Sequence, residues 1–422
     1  MTVPNRAVNA IVLQQHLEDA AVLRGMRSVL VRAPHVRLHQ LQRLDERITA
    51  HLDGLITAGA AGSAAVAGTL ESAGAATLFV ATAAALERRD GSALERCLAV
   101  AAALPEASNG VLSAFGWVPA PHLRGVTKAL LDAPDPFRRA LGLAACASHQ
   151  VDPGTALTAA VDADDPALRS QALRVAGRLG RLDLLPACLA ALADPDASVA
   201  HAAACSALLL GDRDAAPARL HAGSLVAGPW QRQALLLLTM AVPVPQAHAV
   251  LQSLARDSSQ ARLLTRGIAV TGDPVYVPWL IKQMVDPAVA RPAAEAFSML
   301  TGLDLAAADL EADRPERAAS GPDDDPADAE VALDEDEGLP WPHVERIDAW
   351  WQAHGSRFAV GTRHFIGQPL STRHGLSVLR TGLQRQRIAA ATHLCLLNPG
   401  APLFNTAAPA WRQQRLLASM AA

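Results

Sequence analysis

The sequence predicts an all-α chain built as an α-solenoid of stacked helix pairs, and three observations carry that prediction. The first is a repeat. Asp135-Pro136-Phe137-Arg138-Arg139-Ala140-Leu141 returns as Asp165-Pro166-Ala167-Leu168-Arg169-Ser170-Gln171 and again, looser, from Asp194-Pro195. Phe137, Leu168, Val199 and Trp230 stand 31 residues apart, as do Gly180 and Gly211. A fixed period of this size means supersecondary units that stack on their neighbours. The second is composition: half the residues are hydrophobic, 4% are aromatic and there is one tyrosine, a mixture that favours helices over strands. The third is periodicity within the blocks, where apolar residues recur at helical spacing.

One unit shows why. Asp165 suits a helix N-cap, and Pro166 fits the first turn, where its missing N–H is no loss. Leu168, Ala172, Val175, Ala176 and Leu179 form one apolar stripe, while Arg169, Arg174 and Arg178 lie off it. Gly180 stops the helix. A second helix follows over 184–192, and Asp194-Pro195 opens the next unit. Each apolar face is too wide to bury alone, so units must stack. The pattern resembles HEAT repeats of the short bacterial kind.

Residues 1–60 read as an N-terminal helical cap. A first helix over 8–32 is expected to turn Ile11, Val12, Leu17, Ala21, Val22 and Leu30 inward. A second, over 38–56, turns in Leu41, Leu44, Ile48, Leu52 and Leu55, with Asp45-Glu46-Arg47 as a solvated face. His35 and His39 lie four apart but have no third ligand nearby, so they read as loop or cap residues, and no metal or cofactor is expected. The stretch 54–74, rich in Gly, Ala and Ser, reads as a loop with a weak helix. The HEAT-like array is placed at 75–303, about seven units. Residues 310–338 then carry twelve acidic residues against Arg314 and Arg317. This segment reads as a disordered acidic loop whose removal (321–336) leaves the fold intact; the alternative is an acidic arm docked on a basic face. Residues 340–422 hold nine arginines against Glu345 and Asp348 and read as a basic helical C-terminal cap over the last apolar face.

Net charge is −4, and the only lysines are Lys128 and Lys282, so no global positive field recruits nucleic acid. Cys97, Cys146, Cys188, Cys205 and Cys395 are scattered, none spaced as a zinc pair, and read as small core residues in a reducing compartment. With no signal peptide and no apolar run of about 18 residues, a cytoplasmic bacterial protein without a membrane partner is expected.

The chain ends carry a further likeness. Gln15-His16-Leu17-Glu18-Asp19-Ala20-Ala21, Leu44-Asp45-Glu46-Arg47, Gly382-Leu383-Gln384-Arg385-Gln386-Arg387 and Ala408-Pro409-Ala410-Trp411 resemble a proteobacterial conserved hypothetical HEAT-repeat family whose members often accompany type VI secretion genes. The resemblance implies an α-solenoid and a secretion-accessory role. It implies no reaction.

Function follows as a non-enzymatic scaffold or adaptor that binds a protein partner, such as a secreted effector or spike component. Candidate binding residues are Trp230, Trp279 and Trp411 with an arginine rim of Arg232, Arg385 and Arg387. The same tryptophans also suit a core. Two other readings stay open. A HEAT-like nucleic-acid-binding protein or DNA glycosylase would need a groove of clustered arginines with aromatics. A lyase or isomerase acting on a tetrapyrrole adduct would need a reactive cysteine, Cys146 or Cys205. No nucleophile elbow, Walker loop, zinc-protease or dinucleotide motif is present.

Overall fold

A computed structural model describes residues 9–315 and 334–420. Their regular structure is helical apart from two short antiparallel strand pairs. In chain order the helices are α1 (Ala10–Leu30), α2 (Leu38–Thr57), α3 (Gly59–Gly68), α4 (Ala75–Arg88), α5 (Gly91–Ala103), α6 (Ser108–Trp117), α7 (Val126–Leu131), α8 (Pro136–Ser148), α9 (Thr155–Ala160) and α10 (Pro166–Leu179). They continue as α11 (Leu185–Ala190), α12 (Ala197–Leu209), α13 (Ala215–Ser224), α14 (Gln231–Ala241), α15 (Val244–Leu254), α16 (Ala261–Thr271), α17 (Val277–Gln283) and α18 (Ala290–Thr301). The last are α19 (Val344–His354), α20 (Thr372–Thr381), α21 (Gln384–Leu397) and α22 (Ala410–Ser419).

The chain divides into two compact units. The first takes in residues up to 32, 36–179 and 405 onward; the second takes in 33–35 and 180–404. The division at 179 falls inside the stretch expected to be one array. The helices of the expected N-terminal cap, α1 and α2, belong to the first unit and both pack on α4.

In the first unit α4 and α6 make the closest approach, which Gly110 permits: a Cβ there would lie 2.2 Å from the Ala75 carbonyl oxygen. Leu78, Phe79, Leu86, Leu98 and Phe115 fill the core beside them. The α1 helix is turned differently from the expectation. It buries Leu13, Leu17, Ala20, Leu23 and Arg27 and leaves Ile11, Val12 and Val22 exposed. The reason is Arg27, whose Nε donates to Asp45 at 2.5 Å inside the core. Asp45 is therefore not on a solvated face: it is buried and also accepts from the Ala410 N–H at 2.7 Å. A buried charge needs such a partner set. Arg27 further donates to the Ala407 and Ala408 carbonyls, both at 3.0 Å. Arg412 donates to the Gly116 carbonyl at 2.6 Å and to Val118 at 3.1 Å. The last segment of the chain is thus pinned to this unit by buried guanidiniums.

In the second unit α12, α14, α16 and α18 form a row in which each packs on the next. Asp196 caps α12, accepting from the Ser198 N–H at 2.8 Å, so the cap lies two residues beyond the Asp194 expected from the repeat. Within the stretch expected to be a C-terminal cap, Ile347 and Phe358 pack with Val277, Phe297 and Leu300 of α17 and α18, and the chain then runs past the C-terminal ends of the row. The His364 N–H donates to Gly272 at 2.8 Å, and the Ile366 N–H to Met299 at 2.7 Å. Arg363 donates to the carbonyls of Thr239, Val270 and Val242, each at 2.8 Å. A cation there complements the negative ends of α14 and α16. Gly272 ends α16 at φ +69°, and a Cβ on it would meet the His364 carbonyl oxygen at 2.1 Å.

That approach gives a paired test. Gly59 has φ +61° with open space around its missing Cβ, whereas Gly272 has the same backbone region and no space. Gly59→Ala should cost only the left-handed penalty of about 1 kcal/mol. Gly272→Ala should cost roughly 2 kcal/mol more, because backbone must shift. Urea unfolding of both variants measures the difference; equal costs would contradict the close approach.

Candidate functional site

The α12–α14–α16–α18 row presents its residues in register. Two places after Phe137 in the repeat stands Arg139, and steps of 31 give Ser170, His201 and Arg232. Arg262 and Arg291 follow at steps of 30 and 29. Arg232, Arg262 and Arg291 are thus carried by three neighbouring helices, with Arg266 one turn after Arg262.

A turn of the acidic segment lies on this row. Arg291 Nη2 donates to Asp334 Oδ2 at 2.7 Å, and Arg262 Nη2 to Asp336 Oδ2 at 2.5 Å. Glu335 accepts from Arg266 at 2.6 Å and from Arg232 at 3.3 Å. Arg385, on α21, donates to Glu295 Oε2 at 2.6 Å and to the Glu335 carbonyl. The turn is closed internally, since Asp334 Oδ1 accepts from the Asp336 N–H at 2.9 Å. The Glu337 carbonyl lies 3.1 Å from His35 Nδ1, so His35 belongs to this contact and not to a pair with His39. Residues 334–338 are accordingly an ordered, docked turn rather than part of a free loop, and Asp336 is buried. At the other end of the segment expected to be a loop, Leu310 is buried and Glu311–Ala312 pair with Trp341–Pro342, while 316–333 lie outside the described residues.

The electrostatics follow the geometry. Hydrogen bonding from Arg266 holds the Glu335 carboxyl down at about 2. Burial pushes the Glu295 carboxyl up, against the pull of Arg385. Arg232 and Glu335 remain more than half exposed, so their pair is weak alone and gains from the network. The Arg291 guanidinium also lies over the Trp341 ring, 4.7 Å from its centroid.

The expected binding residues scatter. Arg232 and Arg385 meet at the acidic turn. Trp230 is half-buried, its ring stacked on His201 at 5.5 Å. Trp279 is half-buried on α17. Trp411 is 37% exposed in the first unit, with Arg412 and Arg415 over its ring. Arg387 cannot serve a rim: it is fully buried and donates to the Leu379 carbonyl at 2.8 Å and to Gln384. Arg262, Arg266, Arg291 and Glu295 were missed. Their signal was present in the spacing 232, 262, 291, which continues the repeat.

Two other constellations hold chemistry-bearing groups. His248 Nε2 lies 3.0 Å from Asp273 Oδ2, with the Tyr276 ring edge-on to the imidazole at 5.1 Å. Asp273 also accepts from the N–H groups of Val275 and Gly361, so its carboxylate holds the backbone together at the start of a helical turn. Burial and Asp273 push the Tyr276 phenol up to about 12. A cleft of about 630 Å³ is lined by Arg213, Arg363, His393, Met240, Val242 and Leu396, among others. Its guanidiniums are turned to main-chain carbonyls of helix ends, which leaves them little to offer an anion. Among the described residues no group of three or more His, Cys, Asp or Glu is placed to hold a metal ion, and no helix is long and apolar enough to cross a membrane.

No family model matches this chain, and no curated protein matches it.

The acid response separates two groups. Burial, then Arg363, lowers the His393 imidazole to about 3 from an ordinary 6.5. The folded state therefore refuses a proton that the unfolded chain takes, and stability falls as pH drops from 6.5 towards 3. Glu335, depressed from 4.5 to about 2, contributes stability that is complete above 4.5 and lost as pH falls towards 2. Glu335→Gln should leave the pH 6.5 to 4.5 decline unchanged and flatten the decline below it. Urea midpoints across that range check this; an unchanged low-pH limb would contradict the Arg266 contact.

Proposed function

We propose that this chain is a non-enzymatic protein-binding scaffold, a HEAT-like α-solenoid whose arginine row receives an acidic segment of a protein partner. The observation that carries the reading is the docking of Asp334, Glu335 and Asp336 on Arg232, Arg262, Arg266 and Arg291. A surface that binds three successive carboxylates within the chain has the geometry to bind them from a partner, and the chain's own turn then acts as a competitor. The repeat register and the consecutive packing of α12, α14, α16 and α18 support the solenoid. The likeness of the chain ends to a HEAT-repeat family that accompanies type VI secretion genes supports a cytoplasmic adaptor role, with a secreted effector or spike component as the partner. The arginine cluster also answers one requirement of the nucleic-acid reading. Its neutralisation by carboxylates favours a peptide.

The test uses a fluorescent peptide of residues 331–340 and the full chain. Replacing Asp334, Glu335 and Asp336 by their amides frees the row, so peptide affinity should rise about tenfold over the unaltered chain, or about 1.4 kcal/mol. Adding Arg262→Gln and Arg266→Gln should abolish the gain. Equal affinity for all three proteins would sink the proposal, and tighter binding of single-stranded DNA than of peptide would move the nucleic-acid reading ahead.

A further inference from the structure

The five cysteines are all buried and none forms a disulfide. Burial raises the thiols of Cys97, Cys146, Cys188 and Cys395, to about 11 for Cys146 and Cys395 and about 12 for Cys188. Such thiols are inert at neutral pH, because the thiolate is the nucleophile. Cys205 has a different neighbour. It stands one turn after His201 on α12, and its Sγ lies 3.4 Å from His201 Nε2.

The proton on that nitrogen can be placed. His201 Nε2 also lies 3.1 Å from Oε1 of Gln233, on α14. An amide oxygen only accepts, so with Oε1 turned to the ring the contact is satisfied by the tautomer that carries its proton on Nε2. The same N–H is shared with the sulfur, which then faces a donor and is stabilised as the thiolate. Trp230 stacks on the imidazole with its plane tilted by only 17°, which fixes the ring between Gln233 and Cys205. Three residues, His201 on α12, Gln233 on α14 and Trp230 just before α14, thus orient one thiol, and none of them belongs to the acidic turn.

We propose that Cys205 is a reactive thiol, a covalent modification site for small soft electrophiles, with His201 stabilising its thiolate. With an alkyl halide the sulfur lone pair forms the S–C bond, the carbon–halogen bond breaks and the halide leaves with its electron pair. The thiol proton passes to water, and the Nε2–H of His201 faces the thiolate left behind. The site stands independently of the scaffold reading.

The structure supplies an internal control, because Cys146 and Cys205 are each 7% exposed and an imidazole nitrogen lies 3.4 Å from the Cys205 sulfur. The folded full chain is treated with iodoacetamide at pH 7, and carbamidomethylation of each cysteine is followed by mass spectrometry. Cys205 should be labelled at least about tenfold faster than Cys146. His201→Asn should bring Cys205 down to the Cys146 rate and leave Cys146 unchanged; a general loosening of the fold would instead speed both. Gln233→Leu, at an exposed position, should slow Cys205 alone. Labelling of Cys205 no faster than Cys146 in the unaltered chain would overturn the proposal, as would a Cys205 rate indifferent to His201→Asn.

Discussion

Arg232, Arg262, Arg266, Arg291 and Arg385 would repel one another without the carboxylates that Asp334, Glu335 and Asp336 set among them. The arginines come from four helices, and the acidic turn touches each. Opposite charges a few ångströms apart near a surface attract by a few kcal/mol, and exposure and side-chain entropy remove much of that. A network loses less, because each ordered side chain serves several contacts. Glu335 meets two guanidiniums, and Arg291 meets both a side chain and a main-chain carbonyl of the turn. The buried Asp336 fixes the turn's depth, while the exposed Arg232–Glu335 pair at its edge is where an outside carboxylate could first compete.

A second use of arginine serves the fold itself. Arg213 and the half-buried Arg363 in one unit, and the buried Arg27 and Arg412 in the other, direct guanidiniums at main-chain carbonyls. Helix C-termini leave carbonyls without partners, and a long planar cation with five donors can satisfy several at once. Lysine, with one point of charge, could not span the Thr239, Val242 and Val270 carbonyls that Arg363 joins. The arginine-rich C-terminal stretch is therefore divided between two tasks: Arg363 and Arg412 stitch helix ends, and Arg385 serves the acidic turn.

Local signals were legible and long-range ones were not. Asp135 and Asp165 cap their helices as the Asp-Pro pattern expects, at 3.1 and 2.8 Å. The inward residues of α2 are buried as their spacing predicts. The α1 stripe was misread because several apolar residues lie on both sides of that helix, and the choice was made by a charged residue, Arg27, reaching Asp45. A charge run such as Asp334–Glu337 looks solvated in one dimension. Its side-chain partners lie from 43 to 103 residues away, beyond any local pattern. Of the candidate site, Arg232 and Arg385 were found by their proximity to aromatic or basic neighbours, whereas Arg262 and Arg291 needed the repeat register carried past Trp230. Arg387 was indistinguishable from Arg385 in sequence; helical phase alone sends one to the turn and the other into the core.

A double-mutant cycle on Arg291 and Asp334 tests the central contact most directly. Urea unfolding of the unaltered chain, Arg291→Ala, Asp334→Ala and the double variant isolates their coupling. A docked turn predicts a favourable coupling of about 1 to 2 kcal/mol that shrinks in high salt. Strictly additive costs, with no dependence on salt, would contradict the docking of the acidic turn on the arginine row.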